Sequence, residues 1–550
     1  MWGVRHPPAV CAVRCRPRRT RAAVSRAPPS RAAPAFAAAR SKLPERSTAM
    51  TTPPPETTAT PTDADRTNHT GRIDRTDRTN HTDHTDRSNR WYLSSAPLLR
   101  ALVHLCVPMA AGTAVSAVYN VINSGFVGSL HSTAMLAAIT FGTPMLALVL
   151  AFGGVFGVGG GALVSRLLGA AEREPAKAGE IRHVSSFAVW GSVIAGAVIG
   201  GVGLLLLNPI VSALGADGAA AGPTRHYVAV MLAFVPVLAA SLCLENLVRA
   251  EGAARQAMTG LILSTVANLV FDVLFILVLD WNVAGAAAAV GLGNAVSLAY
   301  WAFWLHRNSE HMSLAPRWFT LRASVLKPVF GVGGGQLLQA GFMIVTSLLL
   351  NNYAAHYGDS PLAAMGVAVR IAQVPEFLLM GVTIGVLPLL AYAYGKGDRT
   401  RLNASLRASA TAVGVVGLFF FAAIIAFREQ VIEIFSSDDS VLAFGTTVLL
   451  AQLVGMVGNG FTGLLTTLFQ ATGRARPALV MASAPGVLFI PIVILGNHWF
   501  GLDGVIWSLT ATEVIVLFIG FAMWLGSRAA IDEGLAEGSP ERAEEVLEEV

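Results

Sequence analysis

Between Arg100 and Arg166 the chain carries no Asp, Glu, Lys or Arg. A soluble core must still show water a polar face, and a run this long and apolar has none, so a soluble enzyme is excluded. The scarcity is general: charged residues fill 13% of the 550 positions against 53% for hydrophobic ones, and the mean hydropathy is +0.57. Cysteine is rare as well. Cys11, Cys15, Cys106 and Cys243 build no disulfide framework, and the C-x3-C of the first two is a weak metal motif. There is no G-x-x-x-x-G-K-[ST] loop for ATP and no Ser/His/Asp or Cys/His grouping. The glycines of GVFGVGGG (155–161) follow no strand and read as helix packing. Neither an enzyme nor a cofactor is expected.

What charge there is gathers at the ends. Residues 1–90 hold 17 of the 39 Lys/Arg, and the last nineteen residues hold 8 of the 34 Asp/Glu. The formal net charge of +5 therefore belongs to a tail: beyond residue 90 there are 22 basic and 26 acidic side chains, and nucleic acid is not an expected partner. Residues 1–92 have too little apolar surface to offset the entropy of ordering. They read as a disordered cytoplasmic extension, as a basic arm drawn to anionic lipid, or as sequence preceding a start at Met50. No signal peptide is expected, because no apolar stretch follows the early charges before Trp91. Residues 528–550 read as an acidic cytoplasmic tail.

From there the chain is a series of apolar runs, each long enough at about 1.5 Å per residue to cross a hydrocarbon layer of about 30 Å. They fall near 99–127, 133–165, 184–208, 223–247, 257–279, 283–305, 325–352, 361–390, 405–427, 441–467, 477–497 and 502–526, twelve in all. Backbone groups in lipid must bond within their own segment, so each run is expected to be a helix, with its Gly and Pro marking bends or close approaches. The loops between spans 2–3, 4–5, 6–7, 8–9 and 10–11 carry sixteen Lys/Arg against two, Arg225 and Arg428, on the other side. That bias places both termini in the cytoplasm of a multi-pass cell-membrane protein.

An internal repeat divides the spans. NLVRAEGAARQAM (246–258) and TLFQATGRARPAL (467–479) agree at six of thirteen positions, and each leads through an apolar span to WNVAG (281–285) or FGLDG (500–504). SRLLGAAER (165–173) likewise answers AYAYGKGDR (391–399), with Gly169 opposite Gly395. The copies lie six spans apart, an even number, so the halves share one orientation about an axis along the membrane normal. The expected fold is an all-α membrane protein of twelve transmembrane helices in two pseudo-symmetric six-helix lobes around a central cavity. Residues 93–307 form the N-lobe with spans 1–6, 308–324 a cytoplasmic linker, and 325–527 the C-lobe with spans 7–12.

GVTIGVLPLLAYAYGKGDRTRL (381–402), ENLVRAEGAARQAM (245–258) with ANLVFDVLFI (267–276), FQATGRARPAL with PIVILGNHWFGLDG (491–504), and YNVINSGFVG (119–128) together resemble the multidrug and toxic compound extrusion family. The resemblance covers about residues 95–527. It implies a monomeric secondary antiporter, exporting cationic amphipathic small molecules from a cavity that opens alternately to each side in exchange for H+ or Na+.

Charged side chains inside spans are costly and therefore candidates for function. Glu245, Asp272, Arg370, Glu376 and Glu513 qualify. Asp272 lies deep in span 5 with Asn268 one turn before it, and a carboxylate beside an amide can hold Na+ through oxygens or take a proton where burial disfavours its charge. The resemblance assigns Asn268 and Asp272 to the cation-coupling site, with Asn123 beside them; Na+ there is the one metal expected. Two departures weaken that inheritance: Asn123 stands where relatives with this site have Asp, and Val290 where they have Thr. The acids of the family's second-lobe site, in spans 7 and 10, are missing, so no such site is expected. Glu376, following Pro375, is a candidate substrate-facing acid or a partner of Arg370. Tyr119, Asn120, Gln336 and Gln373, with Arg370, are the further candidates for the substrate cavity. Glu245 and Glu513, nearer the span ends, read as interfacial caps. Two other readings stay open: a lipid-linked saccharide flippase, disfavoured because Arg370 is the one cation available for an anionic cargo, and a passive channel or scaffold.

Overall fold

The computed structural model describes residues 89–128, 133–216, 218–428, 430 and 439–536. The expected extension over 1–92 lies outside them as far as residue 88, and the acidic tail from residue 537 onward. Among the described residues twelve helices are long and apolar enough to span a membrane. These are α1 (Leu98–Gly128), α2 (Thr133–Ala170), α3 (Ala178–Leu205), α4 (Ala221–Ala250), α5 (Ala254–Asp272, continued by a π-turn Val273–Val278) and α6 (Asn282–Asn308). The second set is α7 (Ala323–Gly333 and Gly335–His356), α8 (Asp359–Lys396), α9 (Arg399–Ala426), α10 (Asp439–Ala471), α11 (Ala475–Phe500) and α12 (Leu502–Ala536).

The matching segments of the repeat are matching turns. Gly252 and Gly473, at the same register, end α4 and α10 with φ of 83° and 70°. Both sit in the left-handed region that stops a helix without a Cβ clash. Asn282 and Gly501, again at matching positions, have φ of 51° and 59° and open α6 and α12. Asn tolerates this conformation, and its Nδ2 bonds the Asp280 carbonyl at 3.0 Å.

The lobes meet along helices that cross through glycine, and the contacts cluster toward the end of the bundle carrying the basic loops. A methyl on Gly169 of α2 would overlap the Tyr392 carbonyl oxygen of α8, and one on Gly395 would overlap that of Arg166. Because 166 pairs with 392 and 169 with 395 in the repeat, this is one contact seen from both sides of the pseudo-two-fold axis. A methyl on Gly159 would overlap the Val329 carbonyl where α2 crosses α7, and one on Gly385 would stand 2.8 Å from Cys106 Cα where α8 crosses α1. Around the crossing, Glu172 pairs with Lys396 at 2.7 Å and accepts the Tyr392 hydroxyl, while Arg173 donates to the Gly395 carbonyl at 2.7 Å. The polar contacts between lobes reach the mid-membrane level, where Thr113 donates to the Phe377 carbonyl at 2.9 Å. Beyond that level Gln373 and Arg370 on α8 are exposed.

Residues 89–94, the first four of them expected within the extension, are helical and lie on the basic end. Arg401 of α9 donates to the carbonyls of Leu93, Tyr92 and Ala96 at 2.7, 2.9 and 3.1 Å. From the same turn Arg90 donates to His311 Nδ1 at 3.2 Å. A guanidinium fork suits the unpaired carbonyls of a helix C-terminus.

Candidate ion and substrate site

α5 keeps α-helical geometry to Asp272 and then widens into its π-turn. Such a step changes the register of the side chains that follow and is frequent at functional sites. Asp272 is 0% exposed and Asn268, one turn before it, 5%. Tyr119 of α1 donates to Asp272 Oδ2 at 3.3 Å. Among the described residues, Asp272 Oδ1 and Asn268 Oδ1 are buried with no hydrogen-bond partner. Two oxygens of one helix face, out of water and without donors, form an electron-rich pair that a proton or a small hard cation satisfies. The side chains of Asn123 and Asn120 lie outside the described ones.

Beside this pair the N-lobe forms an open cavity of about 840 Å³. Tyr119 and Asn268 line it, as do Ser241, Asn294, Ser297 and Glu245, with Val290 on the wall where the family pattern has Thr. Leu348 of α7 is the one lining residue from the second lobe. Asp272 does not line it and sits behind Tyr119 and Asn268. Among the described residues, Glu245 is the cavity's one charged lining residue. Its reading as an interfacial cap is therefore corrected: α4 runs to Ala250, three residues past the span read from composition, so Glu245 lies more than a turn inside the helix and is 8% exposed. Its partner is Arg249, one turn on, at 3.6 Å.

The remaining candidates are dispersed. Gln336 packs against Gly154 of α2, its Cγ 3.2 Å from where a Cβ would sit, at the seam between lobes. Gln373 and Arg370 are exposed on α8, and Arg370 forms no ion pair with Glu376 among the described residues. Glu376 instead accepts from Asn459 of α10 at 2.9 Å. Glu513, also read as a cap, lies eleven residues into α12, its Oε2 buried and without a partner among the described residues. Of the five substrate-cavity candidates whose side chains are described, Tyr119 alone lines the N-lobe chamber. Glu245 was legible as a missed member: it falls four residues after Ser241 and four before Arg249, a polar stripe on an otherwise apolar helix.

Twelve helices in two repeat-related lobes, with a mainly apolar chamber carrying a few polar groups and an embedded acid, define a secondary-transporter fold. The MatE family profile matches residues 108–274 and 335–495, and the chain belongs to this multidrug and toxic compound extrusion family. It is 32% identical over 423 residues to the multidrug export protein MepA of Staphylococcus aureus (strain MRSA252), covering 77% of this chain and 92% of that one. It is 30% identical over 445 residues to MepA of Staphylococcus haemolyticus (strain JCSC1435), covering 80% and 97%. Among solved structures it resembles an outward-facing multidrug resistance MATE transporter with a TM-score of 0.73 at 24% identity, over 80% of this chain and 97% of that one.

Proposed function

We propose that the protein is an alternating-access antiporter exporting cationic, amphipathic organic compounds in exchange for H+ or Na+. The observation that carries the reading is the pair of unpartnered, buried oxygens on Asp272 and Asn268. A carboxylate buried in lipid-embedded helices without a counter-charge is costly, by several kcal/mol. Uptake of a proton or Na+ removes that cost, and release restores it, so the occupied and empty forms favour different arrangements of the lobes. The family relatives support multidrug export as the task. Positive charge in the loops supports a cytoplasmic basic end with both termini on that side, in a plasma-membrane protein. The glycine crossings then close the cytoplasmic side, the arrangement in which a compound leaves outward and the coupling ion enters. The protein works as a monomer, since each chain contains both lobes.

The test is ethidium efflux from proteoliposomes carrying the full chain, with the H+ and Na+ gradients collapsed separately. One collapse is expected to stop efflux, and Asp272→Asn to lower gradient-driven efflux at least tenfold while ethidium binding persists. Full efflux by the Asn variant would remove Asp272 from the mechanism, and flux indifferent to both gradients would favour a passive channel.

A further inference from the structure

We propose that Glu245 is the carboxylate that receives the cationic head of the transported compound, at the floor of the N-lobe chamber. The inference rests on the chamber being the transport path. It assigns the two N-lobe acids different work: Asp272 is sealed behind Tyr119 and Asn268, whereas Glu245 faces the open volume. Glu245 lies five residues from the basic end of α4, about 7 Å in depth, and Asn268 lies fourteen residues from the basic end of α5, about 21 Å. The chamber therefore runs inward from the coupling pair to Glu245.

The partner of Glu245 is loosely held. The Glu245–Arg249 separation is 3.6 Å, longer than the 2.7–2.9 Å usual for a charge-assisted bond. The tighter contact of Arg249 is with Asn246, Nη2 to Oδ1 at 2.7 Å. Arg249 thus neutralises Glu245 without saturating it, and among the described residues Glu245 has no other partner. An ammonium or amidinium arriving from the chamber meets a carboxylate whose bound cation has an alternative acceptor in place. Tyr119, half-buried, lines the same chamber and offers aromatic surface to the body of such a compound. The ligand class is a monovalent organic cation carrying aromatic rings.

Equilibrium binding of ethidium to the full chain in nanodiscs tests this without any gradient, so its outcome is independent of whether Asp272 couples transport. Glu245→Gln is expected to raise the ethidium Kd about tenfold or more and to leave the neutral dye Nile red unaffected. Because that change also unpairs Arg249, the double variant E245Q/R249M separates the roles. It is expected to stay weakened if the carboxylate binds the cation, and restoration of native affinity would overturn the proposal by leaving Glu245 the neutraliser of Arg249 alone. Unchanged affinity in Glu245→Gln would overturn it too. On the native chain, which needs no variant to fold, saturating ethidium is expected to slow carbodiimide labelling of Glu245 several-fold; labelling at the unprotected rate would overturn it as well.

Discussion

Adding one methyl group to Gly395 is expected to force apart the basic ends of α2 and α8. A Cβ there would overlap the Arg166 carbonyl oxygen and stand 2.7 Å from its carbon and 2.9 Å from Cα. Ordinary carbon contacts need about 3.5–4.0 Å, so the helices must separate by about 1 Å or more. The opposing atoms are backbone, with no flexible side chain to swing away. Overpacking of this kind costs about 1–3 kcal/mol, which corresponds to about a 5–150-fold shift against the closed basic end. The same separation stretches the Lys396–Glu172 pair, 2.7 Å in the closed form. Spin labels on cysteines placed at Glu174 and Thr400, both exposed and flanking the crossing, read the distance by double electron–electron resonance once the native cysteines are replaced. In Gly395→Ala the short-distance population is expected to fall and a longer one to grow. Gly169→Ala should do the same through the Tyr392 carbonyl, and the double variant should fall short of the sum, because one movement relieves both clashes. Gly366→Ala, where an added methyl meets nothing within 4 Å, serves as the control. An unshifted distribution in Gly395→Ala would refute the reasoning that this glycine pair sets the closed contact.

Two further predictions concern the basic end. Arg401→Gln removes the guanidinium that holds three carbonyls of residues 92–96. A loss of about 2 kcal/mol is expected; it would speed amide exchange across that turn about thirtyfold, and unchanged exchange would show that Arg401 does not anchor it. His311, in the linker outside the membrane, is held below the ordinary histidine pKa by desolvation, then by Arg90 and Arg182, with Glu310 opposing. Its folded form therefore binds a proton less readily than its unfolded form, so the stability it contributes is full above the ordinary value near 6.5 and declines as pH falls below it. Protection of the amides around 310–312, taken relative to the intrinsic exchange rate at each pH, is expected to fall between pH 7.5 and 5.5, and His311→Gln, which keeps an acceptor for Arg90, should flatten that dependence. Equal pH dependence in the two proteins would remove His311 from the account.

Much of the molecule is written in the order of its residues. Uncharged runs such as 101–165 must be lipid-embedded helices, because backbone and side chain both lack another place to be satisfied. The repeat fixed the two-lobed arrangement, and its matching glycines proved to be matching left-handed turns at Gly252 and Gly473. Asp272 and Asn268 could be paired in advance because a spacing of four places two side chains on one helix face whatever surrounds them. What periodicity cannot supply is which faces meet and how deep each residue lies. Glu245 looked interfacial because composition ended its span about a turn early, whereas α4 continues past it; Glu513 stands eleven residues inside α12, and the burial of its Oε2 is set by packing. Arg370 and Glu376 share a helix yet part company, since Asn459, on α10, is the group within reach of Glu376. The enclosure of Asp272 behind Tyr119, and the exposure of Glu245 to the chamber, depend on helices more than a hundred residues apart in the chain. Local sequence determines secondary structure and facing; contact across such separations is decided by packing, where a single glycine or a shift of one turn changes which groups touch.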